Sequence, residues 1–221
     1  MAPYYPKYGW NAKAGRYYGA DGRFVTLDEV RAAIDDALIA EGTHAGAFAS
    51  LVREGKISVF DFANLMRAAI KDSQIYAAAV ASGGYSNIDV HGLTELTSRV
   101  AEQFKYLEEW IATLTGDLGN DAEQALVRLE EAGKRGISEA QMTARAKMYM
   151  SAARGTYEAI YEHAQQRRGF TEYRNRLGHA EHCAQCVDMT AIGWVLIGTL
   201  VPIGQRTCLT NCKCHIEYRV R

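Results

Sequence analysis

The sequence predicts a mainly α-helical protein, a helical bundle or a stack of helical hairpins, that ends in a small cysteine-rich β module. Apolar residues recur every three or four positions through most of residues 26–169, as in amphipathic helices. All five cysteines lie within residues 183–214. From residue 170 the pattern changes to short runs that alternate polar and apolar, as strands do. We therefore divide the chain into residues 1–25, 26–169 and 170–221.

Residues 1–25 are predicted to be an extended arm that is both aromatic and basic. Its aromatic residues alternate with glycines and with lysine or arginine, and no period of 2 or 3.6 fits them: Tyr4, Tyr5, Tyr8, Trp10, Tyr17 and Tyr18. Such a segment suits docking on a partner protein first, a partly ordered terminus second and stacking on nucleic acid third. We expect it to contribute little to the fold of its own chain.

The predicted helical body begins at a capping box formed by Thr26 and Glu29. The first apolar stripe, over residues 27–38, stops before Gly42, and a short second segment ends at Gly55. A long helix then begins with a second capping sequence, Ser58-x-x-Asp61, and ends at Gly83-Gly84.

The second half of the body follows a linker over residues 83–92. A strongly periodic helix covers 93–114, and a shorter one covers 122–133. The last helix begins at Ser138 and extends to about residue 168. The residues expected to face inward from this last helix are Met142, Ala146, Tyr149, Ala153, Tyr157, Ile160 and Tyr161.

The tyrosines of the last helix carry a further expectation. Helices of unequal length are not expected to cover both this stripe and that of residues 93–114. We therefore expect a patch containing Tyr149, Tyr157 and Tyr161 to stay exposed as a protein-binding surface.

Composition and charge narrow the function classes. Apolar residues make up 48% and charged residues 23% of the chain, as in ordinary globular proteins. No run approaches 18 apolar residues and no signal peptide is visible at the N-terminus, so no membrane role is expected. The net charge of −1 divides into +3 for residues 1–25, −7 for 26–153 and +3 for 154–221, which favours docking ends over a nucleic-acid platform.

The cysteines form the arrangement of a metal knuckle. Cys183-x₂-Cys186 holds two sulfurs close together, and after a 21-residue loop a second cluster supplies the remaining ligands. The candidate metal ligands are Cys183, Cys186, Cys208, Cys212 and Cys214. We interpret them as a structural zinc site that uses four of the five thiols; which four stays open. His179, His182 and His215 border the cluster, and His182 or His215 could replace a sulfur.

Two other interpretations of the cysteines stay open. A disulfide framework would need an oxidising compartment and would leave one thiol unpaired. A redox C-x₂-C usually follows a strand and opens a helix in a βαβ unit, whereas here a loop-like stretch with Trp194 and Pro202 is expected to follow.

Two predicted strands enclose the cysteines, over residues 171–177 and 215–221. A β module of about 50 residues buries little apolar surface by itself, so a metal or cross-link would supply the missing stability. Enzyme motifs are absent from the sequence: there is no G-x-G-x-x-G, Walker A, H-E-x-x-H or G-x-S-x-G pattern. A zinc site closed by four cysteines is structural, because catalysis needs an open coordination position. We therefore expect no enzymatic activity.

The order of these elements resembles the minor head, or head-morphogenesis, proteins of tailed phages of the Mu type. The matching pieces are Cys183-x₂-Cys186, the loop from Gly198 to Pro202, Cys212-Lys213-Cys214 and the trailing Glu217-Tyr218-Arg219. The helix with residues 139–149 and Tyr157 also resembles the helix that precedes the knuckle in that family. The likeness is good over 138–221, loose over 26–137 and absent over 1–25. The family commonly closes with His-Pro-x-Cys-Arg-Cys, whereas this chain has a fifth thiol and no His-Pro there.

The resemblance implies a structural virion component, assembled in the host cytoplasm and present in few copies. It would bind portal, capsid or neck subunits, and would be oligomeric within a particle; contact with packaged DNA stays open. The alternative is a zinc-knuckle protein that binds nucleic acid through the knuckle and the basic, aromatic arm.

Overall fold

The fold is seen in a computed structural model that describes residues 8–115 and 138–221. It is mainly α-helical with two small antiparallel sheets, which confirms the predicted class. The helices are α1 (Leu27–Arg53), α2 (Val59–Ser82), α3 (Val90–Thr115), α4 (Glu139–Ser151), α5 (Ala153–Arg167) and α6 (Ala184–Ile192). The strands are β1 (Tyr8–Asn11), β2 (Arg16–Gly19), β3 (Phe24–Val25), β4 (Glu172–Arg176), β5 (Val195–Leu196) and β6 (His215–Arg219). The helix predicted over 122–133 lies outside the described residues.

The helix starts follow the predicted capping chemistry. Thr26, Ser58 and Ser138 each accept a hydrogen bond from the backbone N–H three residues later, and the side chain at that position bonds back to the cap. Gly83 ends α2 in the left-handed conformation, with φ 79°. These boundaries are set by local residues, and the structure confirms them.

The first helix differs from its prediction, because α1 is a single helix of 27 residues that continues through Gly42 and Gly46. Both glycines face α4. A Cβ on Gly42 would lie 3.5 Å from Cγ of Lys147, and one on Gly46 would lie 2.9 Å from Cγ2 of Thr143. The predicted break at Gly42 is therefore wrong: these glycines let two helices approach each other closely.

The predicted extended arm is also wrong for residues 8–25. These residues form an antiparallel sheet in the order β1-β2-β3, with Trp10 opposite Tyr17. Tyr17 is 3% exposed, and its hydroxyl donates to the carbonyls of Val80 and Ala81 at the end of α2. The Trp10 N–H donates to Gly83 O at 3.2 Å. The segment thus packs on its own body, and Trp10 and Tyr17 are used there.

Two apolar clusters stabilise the body. One joins α1, α2, α3 and α4 around Phe62, Met66 and Trp110; the other joins α1, α2 and α5 around Ile34 and Tyr157. All seven residues expected to face inward from the last helix are buried, which confirms that stripe. No helix among the described residues is long and apolar enough to cross a membrane.

The exposed tyrosine patch predicted on the last helix is contradicted. Tyr149 is 5% exposed, Tyr157 1% and Tyr161 4%. Tyr157 stacks on Tyr161 with ring centroids 5.4 Å apart, and Tyr149 stacks on Trp110 at 5.8 Å. Stacked aromatic pairs cover each other's faces, so the helices leave no tyrosine surface for a partner here.

The C-terminal sheet has the order β5-β4-β6, with both pairs antiparallel and Tyr173 opposite Tyr218. Both predicted strands, 171–177 and 215–221, are thereby confirmed with slightly shorter bounds. The module docks on the body through arginines. Arg31 of α1 donates to Ile216 O at 2.7 Å, and Arg154 of α5 donates to Cys214 O at 3.2 Å while pairing with Asp35. These bonds fix the cysteine cluster against the body.

Candidate metal centre

The first two cysteines lie at the start of α6. Cys183 is the N-cap residue, and its carbonyl accepts from the N–H groups of Cys186 and Val187 at 3.0 and 3.3 Å. The C-x₂-C therefore opens a helix, and the loop-like stretch expected around Trp194 and Pro202 follows that helix, with the two-residue strand β5 inside it. The strands on either side of this helix, β4 and β5, pair antiparallel, so they do not form the βαβ unit in which a redox C-x₂-C usually lies.

The other three cysteines surround a short 3₁₀ turn, Leu209–Asn211. Cys208 precedes the turn and Cys212 follows it, while Cys214 lies directly before β6. Leu209 holds φ at +46°, in the left-handed region that non-glycine residues rarely adopt. This tight turn brings Cys208 and Cys212 to the same side, next to the helix that carries Cys186.

The sulfur atoms lie at the spacing that a tetrahedral ion needs. Cys186 Sγ is 3.6 Å from Cys208 Sγ and 3.8 Å from Cys212 Sγ. Zinc–sulfur bonds of about 2.3 Å at tetrahedral angles separate two sulfurs by about 3.8 Å. No disulfide bond joins any two of the five cysteines. Sequence reasoning thus selected the residues that the fold brings together, and the cluster could hold a metal ion.

The five thiols form two groups of three that share one member. Cys183, Cys186 and Cys208 make one group; Cys186, Cys212 and Cys214 make the other. Within each group all the sulfurs lie within 4.8 Å of one another. Cys186, 1% exposed, is therefore the centre of the cluster, and a single four-coordinate ion would leave one thiol unused.

The thiols differ in acidity because their surroundings differ. Hydrogen bonding from the Cys214 thiol, with help from the nearby Arg206 guanidinium, lowers the pKa of Cys212 to about 4. Burial raises the pKa of Cys186, and the bond to Cys212 raises that of Cys214. At least one sulfur is thus held as the thiolate that a metal requires.

A buried polar network supports the cluster. Arg206, 1% exposed, donates through Nη1 to Asn175 Oδ1 at 2.7 Å and through Nε to Val201 O at 2.9 Å. Asn175 in turn donates to Cys186 O at 3.2 Å and to the Thr190 hydroxyl at 2.7 Å. Neither Arg206 nor Asn175 was predicted as a site residue, because a single arginine in a loop and a single asparagine in a strand carry no motif.

The neighbouring histidines divide into two cases. His182 Nε2 lies 2.9 Å from Gly178 O, to which it donates, and Nδ1 lies 3.8 Å from Cys214 Sγ. His182 is thus placed to contact a metal held by Cys214. His215 instead interacts electrostatically with Arg31 and Asp28 of α1. Neither histidine belongs to the two ligand groups found among the described residues.

A cavity of about 970 Å³ lies beside the cluster, between α3, α4 and the loop that carries Cys212. Three apolar side chains at its rim are about half exposed: Tyr106, Met148 and Leu209. Gln74, 1% exposed, lines it and leaves its amide nitrogen without a hydrogen-bond partner.

Comparison with protein-family models, with curated proteins and with solved structures gives no match. The likeness to phage minor head proteins therefore depends on the residues of the sequence that carry it.

Proposed function

We propose that the C-terminal module binds one zinc ion through four of its five cysteines, and that this ion is structural. The observation that carries the proposal is the sulfur spacing of 3.6–3.8 Å around Cys186, which equals the edge of a tetrahedral zinc–thiolate site. A disulfide framework fits less well, since one sulfur contacts several others at similar distance. A ligand set of four thiolates leaves no coordination position for substrate, so the proposed role is to stabilise the fold.

Elemental analysis tests the metal proposal. Protein purified without chelator should contain about one zinc per chain, the stoichiometry of one tetrahedral site. Non-reduced peptide mapping is the companion measurement: recovery of Cys186 joined to Cys208 or Cys212 in the purified protein, with no zinc present, would contradict the proposal.

We further propose that the chain is a minor head component of a tailed phage and acts by binding other virion proteins. Its support is the order of elements around the cysteines: a long helical body, a strand (β4), Cys183-x₂-Cys186, a glycine- and proline-containing loop, Cys212-Lys213-Cys214 and a final strand (β6). That order is the one on which the resemblance depends.

Density-gradient-purified phage particles from the host strain test this role. Antibodies against the chain should detect it in the particle band, at a few copies for each portal ring, and recombinant chain should bind portal or capsid subunits. Its absence from particles that contain all other structural proteins would contradict the proposal.

The alternative function, nucleic-acid binding, has less support from the structure than protein binding has. Two aromatic residues of β1 and β2 that would stack on bases are engaged within the fold: Tyr17 is buried, and Arg168 lies 3.4 Å from the centroid of the Trp10 ring. A salt series separates the two functions. DNA affinity that falls steeply between about 50 and 200 mM salt would favour the alternative, because phosphate contacts release counterions.

A further inference from the structure

The network around Arg206 has a consequence for the metal site. Arg206 Nη1, besides its bond to Asn175, lies 3.9 Å from Cys186 Sγ and 4.0 Å from Cys212 Sγ. Both distances are within reach of an N–H···S hydrogen bond. The guanidinium is buried against the two sulfurs that contact each other at 3.8 Å. No other arginine among the described residues donates to a cysteine sulfur.

Burying a guanidinium has a large desolvation cost unless an anion compensates it, since arginine stays protonated at all ordinary pH values. The oxygens that Arg206 bonds, those of Val201 and Asn175, are neutral. The groups that face it are the sulfurs of Cys186 and Cys212 and, through space, the side chain of Glu158, whose pKa burial raises. Glu158 also interacts with Arg31 and Arg154, so it does not serve Arg206 alone.

The proposed zinc site carries an excess of negative charge. Four thiolates around Zn²⁺ carry a net charge of −2, because four negative charges exceed the two of the ion. In a buried site that charge must be met by donors and cations around the sulfurs. Arg206 supplies both a positive charge and a donor, Nη1, that lies within 4.0 Å of two of the sulfurs.

We propose that Arg206 is the counter-charge of the metal–thiolate site, and that Cys186 and Cys212, the two sulfurs to which it donates, are obligatory ligands. This inference rests on the proposed zinc. It also narrows the open ligand set, because the unused thiol must then be Cys183, Cys208 or Cys214. Asn175 is the positioning residue that orients the guanidinium through its Oδ1.

The competing explanation is that Arg206 only braces its loop through Val201 O and Asn175. Both explanations predict lost stability when Arg206 is replaced, so stability cannot separate them. The electronic state of the metal-bound sulfur atoms can separate them. Hydrogen bonds to a metal-bound thiolate change its electron donation, and the sulfur-to-cobalt charge-transfer bands of the Co²⁺-loaded protein report that change.

Arg206→Met tests the inference in the full chain, loaded with Zn²⁺ or Co²⁺. We expect about a 10- to 100-fold loss of zinc affinity, measured by competition with a chromophoric chelator, together with a shift of the cobalt charge-transfer bands. The matched control is Arg174→Met. This arginine of β4 pairs with Glu217 and lies over the Trp194 ring, without contact to the sulfurs. It should leave both readouts unchanged.

The outcomes are distinct. Wild-type protein that binds neither ion would overturn the proposed zinc site itself. Wild-type protein that binds zinc, with Arg206→Met unchanged in affinity and spectrum, would overturn the role of Arg206 alone. If Arg206→Met does not fold, Arg206→Lys keeps the charge but loses the planar fork, and should show a smaller loss of affinity with shifted bands; an unchanged spectrum would again overturn the role.

Single Cys→Ser variants test the ligand assignment. Cys186→Ser and Cys212→Ser should both lose the four-sulfur cobalt spectrum, while one of the other three variants should keep it. Retention of the wild-type spectrum by either of the first two would overturn the assignment.

Discussion

The helical body and the C-terminal module keep their residues in place by different means. In the body, helices pack through apolar side chains, and five successive residues of α2, Ala77–Ala81, are all buried. In the module, three of the eight core residues are cysteines, and a fully buried arginine lies among them. The body can therefore be stable through apolar burial alone. The module, in contrast, needs a bound metal or a cross-link at its thiols to be stable.

This difference predicts different responses to change. Substitutions that alter volume or bury charge should damage the body, while metal removal should damage the module first. The two regions also share an interface: Tyr161 of α5 packs edge-to-face on Tyr218 of β6 at 5.7 Å, and Arg154 joins Asp35 to Cys214 O. The experiments below measure whether a loss of stability in one region also lowers the stability of the other.

The largest effect is expected from Tyr157→Asp, which puts a carboxylate into the body core at a residue that is 1% exposed. The change buries a charge and removes the volume of the ring. The free energy of unfolding should therefore fall by about 3–5 kcal/mol, or the chain should not fold at all. Met148→Asp is the control, since Met148 of α4 is 45% exposed and its change should stay within about 1 kcal/mol. Urea unfolding followed by circular dichroism measures both. A folded Tyr157→Asp protein would show that this core is not required.

Metal removal should separate the two regions. With excess chelator, amide hydrogen exchange in β4 and β6 should accelerate strongly, because the module would lose the proposed zinc that offsets its small core. Amides of α2 should keep their protection. Chelator saturated with Mg²⁺ is the control for non-specific effects. Simultaneous loss of protection in α2 and β6 would mean that body and module unfold as one unit.

A pair of glycines in α1 tests how closely the body is packed. Gly42→Ala should stabilise the protein by about 1 kcal/mol, because alanine favours the helix and its Cβ would sit 3.5 Å from Lys147 in ordinary contact. Gly46→Ala should be less stable than Gly42→Ala by about 1–3 kcal/mol. Its Cβ would lie 2.9 Å from the Thr143 methyl, whose β-branched side chain adjusts poorly in a helix. Thermal melts compare the two; equal stability would refute the tight contact at Gly46.

The sequence predicted best what is local in the chain. The two residues of each capping box lie within four positions of the chain. Thr26, Ser58 and Ser138 therefore marked their helix starts correctly. The cysteine spacing likewise identified the cluster. Continuity of α1 through Gly46 depends on Thr143, almost a hundred residues away, and no local pattern carries that information.

The missed features share this dependence on distant partners. The N-terminal sheet has strands of two to four residues with glycines in them, and its stability comes from Tyr17 packing on the end of α2. Helix α6 has nine residues, too few for a clear period. Arg206 gains its meaning only from the sulfurs and Asn175 that the fold brings around it.

The smallest expected effect concerns pH and lies in the body, where α3 begins beside the end of α5. His163 stacks on His91 with ring centroids 3.8 Å apart, and Asp89 lies 3.5 Å from His163 Nε2. Burial, then the nearby His91, lower the pKa of His163 below its ordinary 6.5, against the opposing pull of Asp89. The unfolded chain then binds a proton more readily than the folded one. Stability from this residue is therefore complete above pH 6.5 and is lost as pH falls through the lowered pKa.

His91→Gln should sharpen this test, because it removes the second cause of the lowered pKa while keeping a polar side chain. We expect the loss of stability between pH 7.5 and 5 to be smaller in the variant than in the wild type. The measurement follows hydrogen exchange of the α2 amides against urea at the two pH values. The resulting midpoints report on the body alone. This restriction matters because acid would also protonate the thiolates of the proposed site and release its metal from the module. An equal or larger pH dependence in His91→Gln would show that the histidine stack does not carry the effect.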